Sequence, residues 1–154
     1  MYIYKYKNVY LHYMGLEKNH PSKEKEENIL EEPLMIYGAM NLYQMASRSI
    51  TKSYVKKVLA LSKLSLTELM DIIPVSIDTY KRKTEFGSPV TEKVLEVEEV
   101  YNVGLEAFGD GFYNWMSTNN VFLGNIEPKS MLKNSFGVRR LLDEIGRIEH
   151  GVLA

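Results

Sequence analysis

Residues Ser65-Leu66-Thr67-Glu68-Leu69-Met70-Asp71-Ile72-Ile73-Pro74-Val75-Ser76-Ile77-Asp78-Thr79-Tyr80-Lys81-Arg82-Lys83 spell two short helices, one directly behind the other. The first four have the spacing of a capping box. The Ser65 side chain accepts from the Glu68 backbone N–H while the glutamate reaches back, so a helix starts at Leu66. Leu66, Leu69, Met70 and Ile73 then fall on one inward face. Pro74 ends the helix, because proline lacks the N–H donor and clashes with the preceding turn. Ser76 can cap a second helix in which Ile77 and Tyr80 pack on the first, leaving Asp78, Thr79, Lys81, Arg82 and Lys83 outside. Two short helices on a tight turn, the second with a basic polar face, predict a helix-turn-helix.

The charge distribution agrees. Over 154 residues the formal net charge is only −1, which argues against a wholly basic nucleic-acid coat. Locally the signs separate: residues 51–83 carry about +4, and residues 92–110 carry about −5. A basic face beside an acidic helix fits a small DNA reader. In that view Ser76 opens the recognition helix, Asp78, Thr79 and Lys81 or Arg82 read base edges, and Lys56, Lys57 and Lys83 address phosphates. Without the preceding turn, Lys81-Arg82-Lys83 would read as a solvated helix end favoured by the helix dipole.

Upstream, a helix from Pro33 is marked by Leu34, Ile36, Tyr37, Met40, Leu42 or Tyr43, and Met45. Another begins near Thr51, with Tyr54, Val55, Val58 and Leu59 on its apolar stripe and Lys52, Lys56 and Lys57 facing away. Tyr2, Tyr4 and Tyr6 alternate with Ile3, Lys5 and Lys7, the pattern of a short strand or extended arm. Such rings can stack on nucleic acid or rest on the protein, and no function is assigned to them. Residues 17–32, dense in Lys and Glu around Pro21, read as a solvated linker or frayed helix.

Downstream, Gly87-Ser88-Pro89 breaks the chain and restarts it with proline at the helix start. The long helix that follows buries Val90, Val94, Val97, Tyr101, Leu105 and Phe108, turns Glu98 and Glu99 to solvent, and ends at Gly109. Phe112 to Met116 forms a helix with Trp115 in the core. In the loop after it, Asn119-Asn120 and Gly124 supply positive-φ turns. Pro128 opens 129–133, and Gly137 precedes a last helix over 138–150. Its stripe is Val138, Leu141, Leu142, Ile145 and Ile148, with Arg139, Arg140, Asp143, Glu144, Arg147 and Glu149 on the polar side. No internal repeat is visible.

This length suits one domain, or two small subdomains sharing a core, and 45% hydrophobic content is ordinary for a globular protein. With no cysteine there is no disulfide or thiolate metal site, and the expected compartment is the cytoplasm. Lys5, Lys7, Asn8 and His12 interrupt the first fourteen residues, so neither a signal peptide nor a spanning helix is expected. His12, His20 and His150 stand in unrelated contexts, and no nucleophile sits with a base. We therefore expect no enzyme, no metal and no cofactor.

The final residues are the odd feature. Gly146-Arg147-Ile148-Glu149-His150-Gly151-Val152-Leu153-Ala154 sets an apolar tripeptide behind a charged helical turn and a glycine, where domains usually finish in polar, frayed residues. The order of landmarks runs from the helix-turn-helix through the Ser88-Pro89 start, Phe108-Gly109-Asp110, Trp115, Asn119-Asn120, Leu123-Gly124, Pro128 and Gly137 to this ending. It resembles the Xre/MbcA/ParS antitoxin family over roughly Ser49 to Ala154, and the first fifty residues do not match. Where family members commonly carry arginine near the recognition threonine, this chain has Thr79-Tyr80-Lys81-Arg82-Lys83.

The resemblance implies an all-α fold with a short-strand or irregular arm over 1–32, an Xre-like helix-turn-helix over 33–87, and a helical toxin-binding and dimerisation part over 88–154. It also implies an antitoxin that holds a RES-domain, NAD-depleting toxin inactive, represses its own operon through operator DNA, and forms a homodimer or higher oligomer. The implied toxin contacts are Arg147, Glu149, His150, Gly151, Val152, Leu153 and Ala154, placed at the mouth of the toxin's NAD pocket. There Arg147 and Glu149 can pair with pocket charges, Gly151 lets the chain leave the helix, and the terminal carboxylate can mimic an anionic group of the dinucleotide. Two other classes fit the residues: a helix-turn-helix regulator without a toxin, and an interaction adaptor that does not bind DNA.

Overall fold

The computed structural model describes residues 29–30 and 39–151. The tyrosine-rich arm, most of the charged linker, the start of the first expected helix and residues 152–154 lie outside the described residues. The rest is helical, as expected. α1 is Ala39–Ala46, α2 Lys52–Ser62, α3 Leu66–Ile72, α4 Ile77–Arg82, α5 Ser88–Phe108, α6 Gly111–Met116 and α7 Ser135–Glu149. Short 3-10 segments at Val121–Leu123 and Pro128–Lys133 separate α6 from α7.

The capping box forms as the spacing predicts. Ser65 Oγ accepts from Glu68 N–H, and a Glu68 carboxylate oxygen accepts from Ser65 N–H at 2.8 Å. Ile73, held extended by the proline behind it, closes α3. A short turn, 73–76, leads into α4.

A small sheet, β1 (Ile29–Leu30), β2 (Ser49–Thr51) and β3 (Glu85–Phe86), closes the helix-turn-helix region. β2 pairs parallel with β1 and antiparallel with β3, setting buried Ile50 opposite buried Phe86. The chain leaving α4 thus returns beside the chain entering α2. Lys52 N–H donates to the Thr84 carbonyl at 2.7 Å and extends the clamp. All three strands depart from expectation. Residues 29–30 fall inside the segment read as linker, 49–51 where one helix was read to give way to the next, and 85–86 inside a stretch given no element, because two or three residues barely display a period of two.

α5 is the spine, and it is buried on more than one face. Val90, Val94, Leu95, Val97, Val100 and Tyr101 are all buried. α1 and α2 pack against α5, as do α6 and α7, so one core runs from Met45 and Tyr54 through Val97 to Leu141 and Ile145. That enclosure corrects the reading of the acids. Glu98 is buried, and Glu99 is half-buried with its carboxyl pushed above the usual range by burial and by neighbouring Glu96.

Tyr54, itself fully buried, donates its hydroxyl to Glu98 at 2.6 Å, a buried hydrogen bond between α2 and α5. Tyr54→Phe should destabilise the fold by about 2 kcal/mol, within the range for removing one partner of a buried hydrogen bond. Urea unfolding checks it, with an unchanged slope expected.

The two halves are also tied at their surface. Lys129 Nζ lies 3.1 Å from Glu68 and 3.4 Å from Glu127. The Ser65 N–H, then its hydroxyl, then Lys129 hold the Glu68 carboxyl below the usual range. Tyr113 Oη donates to the Leu61 carbonyl at 2.9 Å, with Lys63 Nζ 3.7 Å from the Tyr113 ring centroid.

Candidate functional site

Two surfaces stand apart from the core, the first built on α4. Ser76 Oγ accepts from Thr79 N–H, and the two hydroxyls stand 3.0 Å apart, so both residues build the helix start. Tyr80 is buried and stacks on Phe86 at 5.6 Å, which seats α4 on β3. Lys52, expected to face away, instead donates to the Lys81 carbonyl at 2.9 Å and lies 4.8 Å from the Tyr80 ring centroid. It caps the last turn of α4, where carbonyls are otherwise unmet. Asp78, Lys81, Arg82 and Lys83 remain exposed. Lys56 is exposed one turn beyond Lys52 on α2, while Lys57 is half-buried. Lys52 thus ties α4 to α2, the helix that also carries exposed Lys56.

The second surface is a groove of about 390 Å³ between the end of α6, the 3-10 turn after it and the end of α7. Asn120 shapes its floor. Its side chain accepts from Phe122 N–H at 2.9 Å, and its backbone N–H donates to the Ile126 carbonyl at 3.0 Å. Gly124 has the positive φ expected of it (+84°), but the one expected of Asn119-Asn120 falls on Asn125 (+60°), because Asn120 is spent as a cap on the turn. This tight loop drives Val121 and Phe122 outward, 78% and 62% exposed.

Across the groove, α7 contributes Glu144, Arg147 and Ile148. Glu144, expected on the polar face, is fully buried. Its carboxylate takes two bonds from Arg147, at 3.1 Å from Nε and 2.7 Å from Nη2. The reason is geometric: the apolar arc of α7 is wider than the residues 138, 141, 145 and 148 suggest, and the bidentate guanidinium makes burial of the carboxylate tolerable. The same guanidinium lies 4.7 Å from the Phe122 ring centroid, and Arg140 Nη2 donates to the Phe122 carbonyl at 3.3 Å. Of the residues singled out in the last turn, Arg147 and Gly151 line the groove. Glu149 and His150 are exposed beside it, and Val152, Leu153 and Ala154 lie outside the described residues.

Trp115 serves both sides. It stacks on Phe108 and Phe112 at 5.8 and 5.5 Å, as a core residue should, yet it is only half-buried and its remaining surface lines the groove. α7 ends where Gly151 adopts φ +64°, a left-handed turn that a side chain would strain. Sequence reasoning missed Val121 and Phe122. The available signal was an apolar pair inside an Asn/Gly-bounded turn, where exposure is the default.

Among the described residues no cluster of three or more His, Cys, Asp or Glu could hold a metal ion, and no helix is long and apolar enough to cross a membrane. The described residues make a small helical protein with a basic two-helix unit on one part and an apolar, arginine-framed groove on another. Residues 106–151, which contain the whole groove, match the family model of the antitoxin Xre/MbcA/ParS C-terminal toxin-binding domain. The chain is similar to Antitoxin Xre of Photorhabdus laumondii subsp. laumondii, 24% identical over 121 residues that cover 74% of this chain and 82% of that protein. It is also similar to Antitoxin Xre of Yersinia enterocolitica, 32% identical over 72 residues, 45% of this chain and 49% of that protein. These likenesses make the chain similar to antitoxins of the Xre/MbcA/ParS type, with the family match confined to the part that holds the groove.

Proposed function

We propose that this protein neutralises a RES-domain, NAD-depleting toxin by binding, not by chemistry, with residues 147–154 placed over the toxin's active site. The observation that carries the proposal is where the toxin-binding match stops. It ends at Gly151, the residue whose left-handed turn closes α7 at the edge of the groove. Val152 and Leu153 follow at once in the sequence, two apolar residues of the kind that anchor an interface. In this view residues 88–154 hold the toxin and 33–87 hold DNA, the protein works in the cytoplasm, and it self-associates through its helical C-terminal part.

The test is co-expression with the adjacent reading frame. The toxin should co-purify with this chain, and cells should keep their NAD when both are present and lose it when the toxin is made alone. Intact NAD in cells making the neighbour alone would contradict the proposal.

The DNA part rests on the exposed cations of α4 with Lys56. On a duplex from its own promoter, affinity should fall steeply with salt. Lys56→Ala with Lys83→Ala should reduce the salt slope by about one unit for each phosphate that is no longer neutralised. A fluorescence-anisotropy titration at several salt concentrations reads this, and a wild-type slope near zero would remove the DNA role.

A further inference from the structure

We infer that the groove beside Phe122 is a second toxin contact, separate from the 152–154 tail, and that it receives an apolar side chain from a toxin segment carrying a carboxylate alongside. The inference rests on the toxin pairing proposed above. A solvent-facing Phe-Val pair is common enough singly, but here it is built into a site. Asn120 pins the loop that presents it, and Arg147 lies over the Phe122 ring. Buried Glu144 in turn fixes Arg147. A rigid aromatic in such a frame loses little side-chain freedom on binding, which is what concentrates affinity at a few positions.

Three observations choose the occupant. Every residue lining the groove lies inside the 106–151 match to a toxin-binding domain. Gly151 belongs to the groove and also precedes the tail, so the two contacts are continuous. The groups set against Phe122 are cations: Arg147 over the ring, and Arg140, which uses one of its five donors on the Phe122 carbonyl. A carboxylate next to the entering apolar group meets that remaining donor capacity.

The test measures toxin binding by the complete chain, by Phe122→Ala and Arg140→Glu variants, and by a chain lacking residues 152–154. Phe122 and Arg140 are exposed, and circular-dichroism melting verifies that both variants fold. Phe122→Ala should weaken toxin binding about 30-fold, the size of an interface hot spot. Arg140→Glu should slow association in a salt-dependent way, and the truncated chain should keep measurable affinity through the groove.

Wild-type affinity in both variants, with binding lost on truncation, would overturn the groove contact and leave the proposed function standing. A Phe122→Ala effect that vanishes in the truncated chain would assign the groove to the protein's own tail. A change in self-association with toxin affinity intact would assign it to a second copy. Either of those overturns the inference. Failure of the wild type to bind the toxin would remove the proposed function and the inference together.

Discussion

A chain lacking residues 152–154 should fold normally and fail to protect. If Val152 and Leu153 are the groups buried in the toxin, each is worth about 1.5–3 kcal/mol of apolar transfer. Their removal should weaken inhibition of NAD turnover by roughly 100-fold or more. The fold has little at stake, since α7 is complete at Glu149 and the core ends at Ile145. Global stability should therefore stay within about 0.5 kcal/mol of the full chain. Growth on toxin induction, paired with a urea melt, separates the two effects. Full protection by the truncated chain would sink the plug and shift the burden to the groove.

Gly137→Ala should be strongly destabilising. A Cβ at Gly137 would lie 2.0 Å from the Met131 carbonyl oxygen and 2.8 Å from its carbonyl carbon, and both atoms are backbone. Nothing there can rotate aside. The first turn of α7 rests directly on the 3-10 segment Pro128–Lys133, with Asn134 accepting from Gly137 N–H at 2.9 Å to fix the junction. Either α7 shifts away from that segment or the segment deforms, at a cost of about 3 kcal/mol or more. Gly146→Ala is the internal control. It lies inside the same helix with nothing within 4 Å of the new methyl, and should be neutral or stabilising by up to about 1 kcal/mol. Equal melting of the two variants would mean that the α7 junction yields to a methyl group.

These two glycines also show what the sequence could disclose. Gly137 was legible as a landmark but not as a close contact, because a helix packed on a backbone turn leaves no local pattern. The helix-turn-helix was legible almost residue by residue, since capping by Ser65 and Ser76 and termination at Pro74 are decided by close neighbours along the chain. The spine of α5 was legible as a helix but not in its burial. A stripe predicts one buried face, whereas helices on several sides bury Leu95, Val100 and Glu98 as well.

Glu144 escaped for the same reason, and its partner Arg147 with it. Charge in the sequence marks polarity, while only the tertiary arrangement shows that two opposite charges, an i,i+3 pair, sit on an inward arc. The groove was the least legible feature. It requires the 3-10 turn, the end of α6 and the end of α7 to meet, and no spacing along the chain encodes that meeting.

The most direct measurement is the kinetics of NAD consumption by the purified toxin as the complete chain is titrated in at several NAD concentrations. Occlusion of the active site predicts competition: inhibition that is relieved as NAD rises, with the apparent KM increasing and the maximal rate recoverable. Inhibition indifferent to NAD, or a toxin that binds this chain and continues to turn over, would contradict it.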